Sequence, residues 1–121
     1  MLVPAVDADG NDIAGVRAPM VQAPLATYTG WNLRMRGHGH GAMHEFTGST
    51  IPLAATASER AQTRDPRKSV AERYANVAAY QKAIGEAAKS LVAARLMLDE
   101  DVERCIAAAA NWHAPRHDVG V

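Results

Sequence analysis

Pro4, Pro19, Pro24 and Pro52 punctuate the first 53 residues together with seven of the nine glycines. No long helix survives breakers at that spacing, because each proline removes a backbone donor and clashes with the preceding turn. The sequence up to residue 53 is therefore predicted to be extended or looped. From Ala57 onward the composition shifts to Ala, Glu, Arg, Lys and Gln, and apolar residues recur at helical spacing. The expected organisation is an extended region with a hairpin over 1–53, a helical region over 54–111 and a poorly ordered tail over 112–121. At 121 residues these form one structural unit, mainly α.

Within the first region, Val3–Val6 and Asp12–Val16 flank Asp7-Ala8-Asp9-Gly10-Asn11, and Asp9-Gly10 is a strong turn signal between two apolar runs. A β-hairpin is expected there, with Pro4 confining its first strand to an edge. Three helices are expected over 57–111. The first runs from Ala57 to about Thr63 and is closed by Asp65-Pro66, since the residue before proline disfavours helical geometry. Ser69-Val70-Ala71-Glu72 forms a capping box that opens the second. Val77, Tyr80, Ile84, Leu91 and Met97 continue it as one stripe as far as Leu98, with Gly85 weakening its middle. Asp99 caps the third, whose apolar side carries Val102, Cys105, Ile106 and Ala109 and which ends near Asn111.

The apolar share is 48%, yet much of it is alanine and aromatics make up only 5%. Each large side chain replaced by alanine forgoes about 1.5–3 kcal/mol of burial, so the core is thin for its length and points to a missing partner surface. Thirteen basic and thirteen acidic residues balance, which removes any global attraction to nucleic acid or an anionic membrane. Arg60, Arg64, Arg67, Lys68 and Arg73 cluster, but Glu59, Asp65 and Glu72 interleave with them, so they read as a solvated face and not a phosphate-binding patch. A single Cys105 allows no internal disulfide and reads as a small hydrophobe. Neither a targeting segment nor an apolar run of membrane-spanning length is present, so no compartment is assigned and no membrane is expected.

Closely spaced imidazoles beside a carboxylate are typical zinc ligands, and Arg36-Gly37-His38-Gly39-His40-Gly41-Ala42-Met43-His44-Glu45 holds three of them. In an extended segment His38 and His40 point the same way, with His44 or Glu45 as a third ligand. Flanking glycines loosen that loop, and a good site needs further groups to hold each ring, so a solvated loop is the expected reading and no cofactor is assigned. Asp7–Asn11 resembles the opening of a calcium loop, but the sixth and twelfth positions hold Asp12 and Ala18 in place of glycine and glutamate. No serine qualifies as a nucleophile: Gly48-Ser49-Thr50 lacks the flanking glycines of a nucleophile elbow, and Ser58, Ser69 and Ser90 fall on or at helices. No catalytic residue is assigned.

The phrases Val3–Asn11, Ile13–Arg17, Pro24–Arg34, Thr47–Pro52, Asp65-Pro66-Arg67, Ser69 and Glu72-Arg73-Tyr74 follow one another in an order and at spacings with a known counterpart. They resemble the C-terminal region of the alpha/beta hydrolase domain-containing proteins, an esterase-like family. The resemblance covers about residues 3–110, and its most specific part is Tyr28–Arg34. It implies that the nucleophile elbow and catalytic histidine lie upstream, that Met1 is internal or an artificial start, and that the partner is a missing hydrolase body or a full-length homologue. Tyr28, Trp31 and Leu33 would then anchor to the body, with Arg34 pairing to one of its acids. The three histidines at 38, 40 and 44 depart from the family's glycine- and proline-rich loop. The competing expectation is a small autonomous module that binds a metal through His38, His40 and His44, or a partner through the stripe from Val77 to Met97.

Overall fold

The structure is a computed structural model that describes residues 4–44 and 46–112. Its element order is α1 (Pro19–Gln22), β1 (Ala26–Thr29), β2 (Asn32–Leu33), β3 (Met43–His44), β4 (Ser49–Pro52), α2 (Ala57–Thr63), α3 (Val70–Arg73), α4 (Val77–Ala93) and α5 (Glu100–Ala108). A 3-10 turn over Ala109–Asn111 follows. Both described ladders are antiparallel: β1 pairs with β4 (Ala26↔Pro52 to Thr29↔Ser49) and β2 with β3 (Asn32↔His44, Leu33↔Met43). In sequence β2 and β3 nest between β1 and β4, so the two ladders follow one another as an interrupted two-stranded ribbon. Gly48 immediately precedes β4, and a Cβ there would collide with the Thr29 carbonyl oxygen.

The hairpin expected between Val3–Val6 and Asp12–Val16 is reduced to a tight turn with one bridge, Val6↔Asp12. Asn11 explains the difference, because it turns inward and is fully buried instead of extending a strand. Val3 lies outside the described residues. The ribbon that does form was not anticipated. Its signal is the alternation Trp31-Asn32-Leu33-Arg34-Met35-Arg36, apolar at every second place.

Helix α2 has the expected bounds, capped by Thr56, whose hydroxyl accepts from the Glu59 N–H at 3.2 Å. It ends on Arg64 in the left-handed region (φ 55°), one residue ahead of the Asp65-Pro66 pair. The capping box at Ser69 and Glu72 is present, but the helix it opens lasts one turn. Tyr74 leaves helical geometry (φ −129°), and its hydroxyl donates to the Pro24 carbonyl at 3.2 Å. Asn76 then caps α4, accepting from the Ala79 N–H at 2.9 Å. The single helix expected from Ser69 to Leu98 is thus two. Its far end is corrected to Ala93, with Arg95 left-handed (φ 60°) and Leu96 and Leu98 exposed. Asp99 occupies the N-cap position of α5 in helical geometry and makes no side-chain cap bond. The expected three helices over 57–111 are therefore four, with α1 before them.

The core cluster is Ala23, Leu25, Tyr74, Tyr80, Ile84 and Ala109, flanked by Val70, Cys105 and Trp112. Tyr80 stacks edge-on against Tyr74 at 5.0 Å and lies 6.2 Å from Trp112. This apolar setting pushes the Tyr80 phenol up to about 12, through burial first and then the neighbouring tyrosines. Trp112 was expected in the tail but closes the core; residues 113–121 lie outside the described residues. Gly85 does more than weaken α4. It is buried, and a Cβ there would stand 3.0 Å from Ile106 Cδ1, so its small size lets α5 cross closely.

Candidate functional site

The turn at residues 7–11 anchors a polar lattice. The Asp7 carboxylate accepts from the N–H groups of Asp9 (2.9 Å) and Asn11 (3.0 Å) and pairs with Arg17. Burial works to raise the Asp7 carboxyl, and the two N–H bonds with the Arg17 guanidinium outweigh it, leaving it below the usual range. The Asn11 amide donates to Ala26 O at 3.2 Å and accepts from Tyr28 N at 2.7 Å. Because Leu53 N bonds Leu25 O, antiparallel alternation turns residues 26 and 28 away from β4. Asn11 therefore closes the free edge of β1 as a neighbouring strand would.

Asp9 extends the lattice. Its carboxylate pairs with Arg73 (Nη1 to Oδ2 2.9 Å), and its carbonyl accepts from the Thr27 hydroxyl. Arg67 donates to Thr27 Oγ1 (2.8 Å), Ile51 O (2.9 Å) and Pro52 O (3.1 Å) while pairing with Asp65. The Arg67 hydrogen bond holds the Asp65 carboxyl below its ordinary range, and the Ser69 hydroxyl does the same for Glu72. Arg60, Arg67 and Arg73 are thus structural ion-pair partners, whereas Arg64 and Lys68 of the same cluster are exposed, so the solvated-face reading fits only those two. Asp7, Asp9, Thr27, Asp65, Arg67, Glu72, Arg73 and Tyr74 all belong to the phrases that carry the family resemblance. In this structure those residues hold the turn, the ribbon and α3 together.

Beyond Thr29 the ribbon becomes an arm on which every residue from Gly30 to Met43 is exposed. Strand alternation gives it two faces. Trp31 (45% exposed), Leu33 (58%) and its partner Met43 (49%) share one face. Asn32, Arg34 and His44 belong to the other, where with His38 and Thr47 they line an open pocket of about 380 Å³ that Leu33 and Met35 complete. His44 Nδ1 lies 3.1 Å from Thr47 Oγ1. Met35 (69%) and Phe46 (91%) add further exposed apolar surface. Tyr28 stands apart from these residues, half-buried at the base of the arm.

Of the three histidines in the loop, His38 and His44 line that pocket and His40 does not. Among the described residues no three His, Cys, Asp or Glu side chains come together as a metal site, and Glu45 lies outside them. The serines serve local structure: Ser49 Oγ donates to Trp31 O (3.1 Å), Ser69 Oγ to Glu72 (2.6 Å) and Ser90 Oγ to Ala87 O (2.7 Å). The hydroxyl–imidazole contact among the described residues is Thr47–His44, and no carboxylate there bonds the ring as the orienting acid of a triad would. No described helix is long and apolar enough to cross a membrane.

No curated protein and no solved structure matches the chain. A family model described as an alpha/beta hydrolase domain matches residues 2–107, which is most of the sequence, and the chain belongs to that family.

Proposed function

We propose that this chain is a C-terminal segment of an α/β-hydrolase-like protein, that it packs against a body carrying the catalytic residues, and that the whole hydrolyses an ester or related bond. One observation carries the reading: Trp31, Leu33 and Met43 form an apolar face on an arm that stands clear of the core. Large apolar side chains gathered on one exposed face mark interaction sites. Trp31, Leu33 and Met43 present apolar side chains on that face, so the complementary surface is an apolar groove.

In this reading the chain supplies packing and the body supplies the nucleophile. The test mixes the chain with the hydrolase body of a full-length family member expressed without its region matching residues 2–107. A complex in sedimentation velocity, with p-nitrophenyl acetate hydrolysis by the complex and none by the chain alone, is the expected result. Ester hydrolysis by the purified chain alone would overturn it, as would failure of the two pieces to associate.

A further inference from the structure

We propose that the polar face of the arm is a binding site for a small oxyanion, a carboxylate or a phosphate, held by Arg34, His38 and His44. The inference does not rest on docking of the apolar face, although Leu33 of that face also borders the pocket. Asn32, Arg34, His38, His44 and Thr47 converge on one pocket, and no carboxylate among the described residues lines it. Arg17, Arg60, Arg67, Arg73 and Arg104 each pair with an acid, whereas the Arg34 guanidinium has no ion-pair partner among the described residues. Its stem runs beside the Gly39 turn, where a Cβ would stand 3.6 Å from Arg34 Cδ. The main chain on either side is fixed by the bonds Arg34 N to Ala42 O (2.9 Å) and Gly41 N to Arg34 O (3.2 Å). Arg34 therefore leaves a hydrogen-bonded backbone position just beyond β2 and not a free loop.

The chemistry favours an anion over a cation. A planar guanidinium fork matches the paired oxygens of carboxylate and phosphate, and imidazole N–H, hydroxyl and amide groups add donors around it. His44 uses Nδ1 on Thr47, and its Nε2 has no partner among the described residues. A zinc ion needs three or four protein ligands. The pocket offers two imidazoles beside a permanent positive charge that repels a dication.

The test is isothermal titration of the full chain with inorganic phosphate, with acetate and with zinc chloride, at ionic strength fixed by sodium chloride. Saturable binding of an anion is expected, weakened at least about tenfold by Arg34→Ala and measurably by His44→Ala. Arg36→Ala, outside the pocket, should leave affinity within about twofold. Far-UV circular dichroism of each variant should match the parent, because the arm lies outside the core. Saturation by phosphate alone would assign a phosphoryl ligand, and saturation by acetate alone a carboxylate. Absence of saturation by either, equal losses from Arg36→Ala and Arg34→Ala, or saturation by zinc alone would each overturn the proposal.

Discussion

Replacing Asn11 by alanine tests whether the polar lattice, and not apolar burial alone, holds the ribbon on the helices. Asn11 is fully buried, and its amide satisfies Ala26 O at 3.2 Å and Tyr28 N at 2.7 Å. Alanine removes both partners and opens no route by which water could replace them without local rearrangement. Each orphaned buried group costs about 1–3 kcal/mol, so the loss of two should be about 2–6 kcal/mol. With a urea m-value of about 1–3 kcal/mol/M, the midpoint should fall by about 0.7 M or more. Asn11→Asp keeps an acceptor for Tyr28 but buries a carboxylate against the Ala26 carbonyl, so it should cost at least as much as alanine. Urea melts followed by circular dichroism measure both variants, with Asn111→Ala as an exposed control. A loss below about 0.5 kcal/mol, the size of an ordinary surface change, would refute the reasoning.

Three further outcomes are expected. Gly48→Ala should destabilise by about 1–3 kcal/mol in thermal melts, because its Cβ meets the rigid Thr29 carbonyl, while Gly85→Ala should cost less because the atom it meets is the end of the Ile106 side chain. Folding lowers the carboxyls of Asp7, Asp65 and Glu72, so the stability they contribute is complete above their unfolded values of about 4 and is lost as pH falls through their lower folded values. Urea midpoints should therefore drop below about pH 4, and less steeply in Asp65→Asn. Tyr80 has the opposite sign: raised to about 12, it should favour the folded state fully below about pH 10 and lose that contribution as pH rises through 10 to 12. Absorbance titration of the phenolate, compared with Tyr80→Phe, measures this.

Local rules read from the sequence located what depends on neighbours in the chain. The bounds of α2, the capping box at Ser69 and the turn at Asp9-Gly10 follow from propensity, reciprocal capping and turn chemistry, each settled within a few residues. The errors arose where distant contacts decide. Tyr74 breaks the helix that its capping box starts because its ring packs on Tyr80 and its hydroxyl reaches Pro24, fifty residues away. The stripe reads on to Met97, yet α4 stops at Ala93, since helical spacing continues across a turn that only a left-handed Arg95 reveals. Arg67 and Arg73 look like surface charges until Thr27 and Asp9 are brought beside them. At the candidate site, the histidine cluster was visible, but the pairing of His44 with Asn32 across the ribbon was not. That register places Arg34 on the same side as the His44 imidazole, beside a pocket that Leu33 also borders.

The central claim is that the apolar face of the arm docks on a hydrolase body, and the emission of Trp31 reports on it most directly. In Trp112→Phe the remaining indole is Trp31, 45% exposed in the chain alone. On adding the hydrolase body of a full-length family member, with tryptophans in that body replaced by phenylalanine, a blue shift that titrates with complex formation is the expected result. An unshifted Trp31 spectrum at concentrations where the two pieces demonstrably associate would contradict the account.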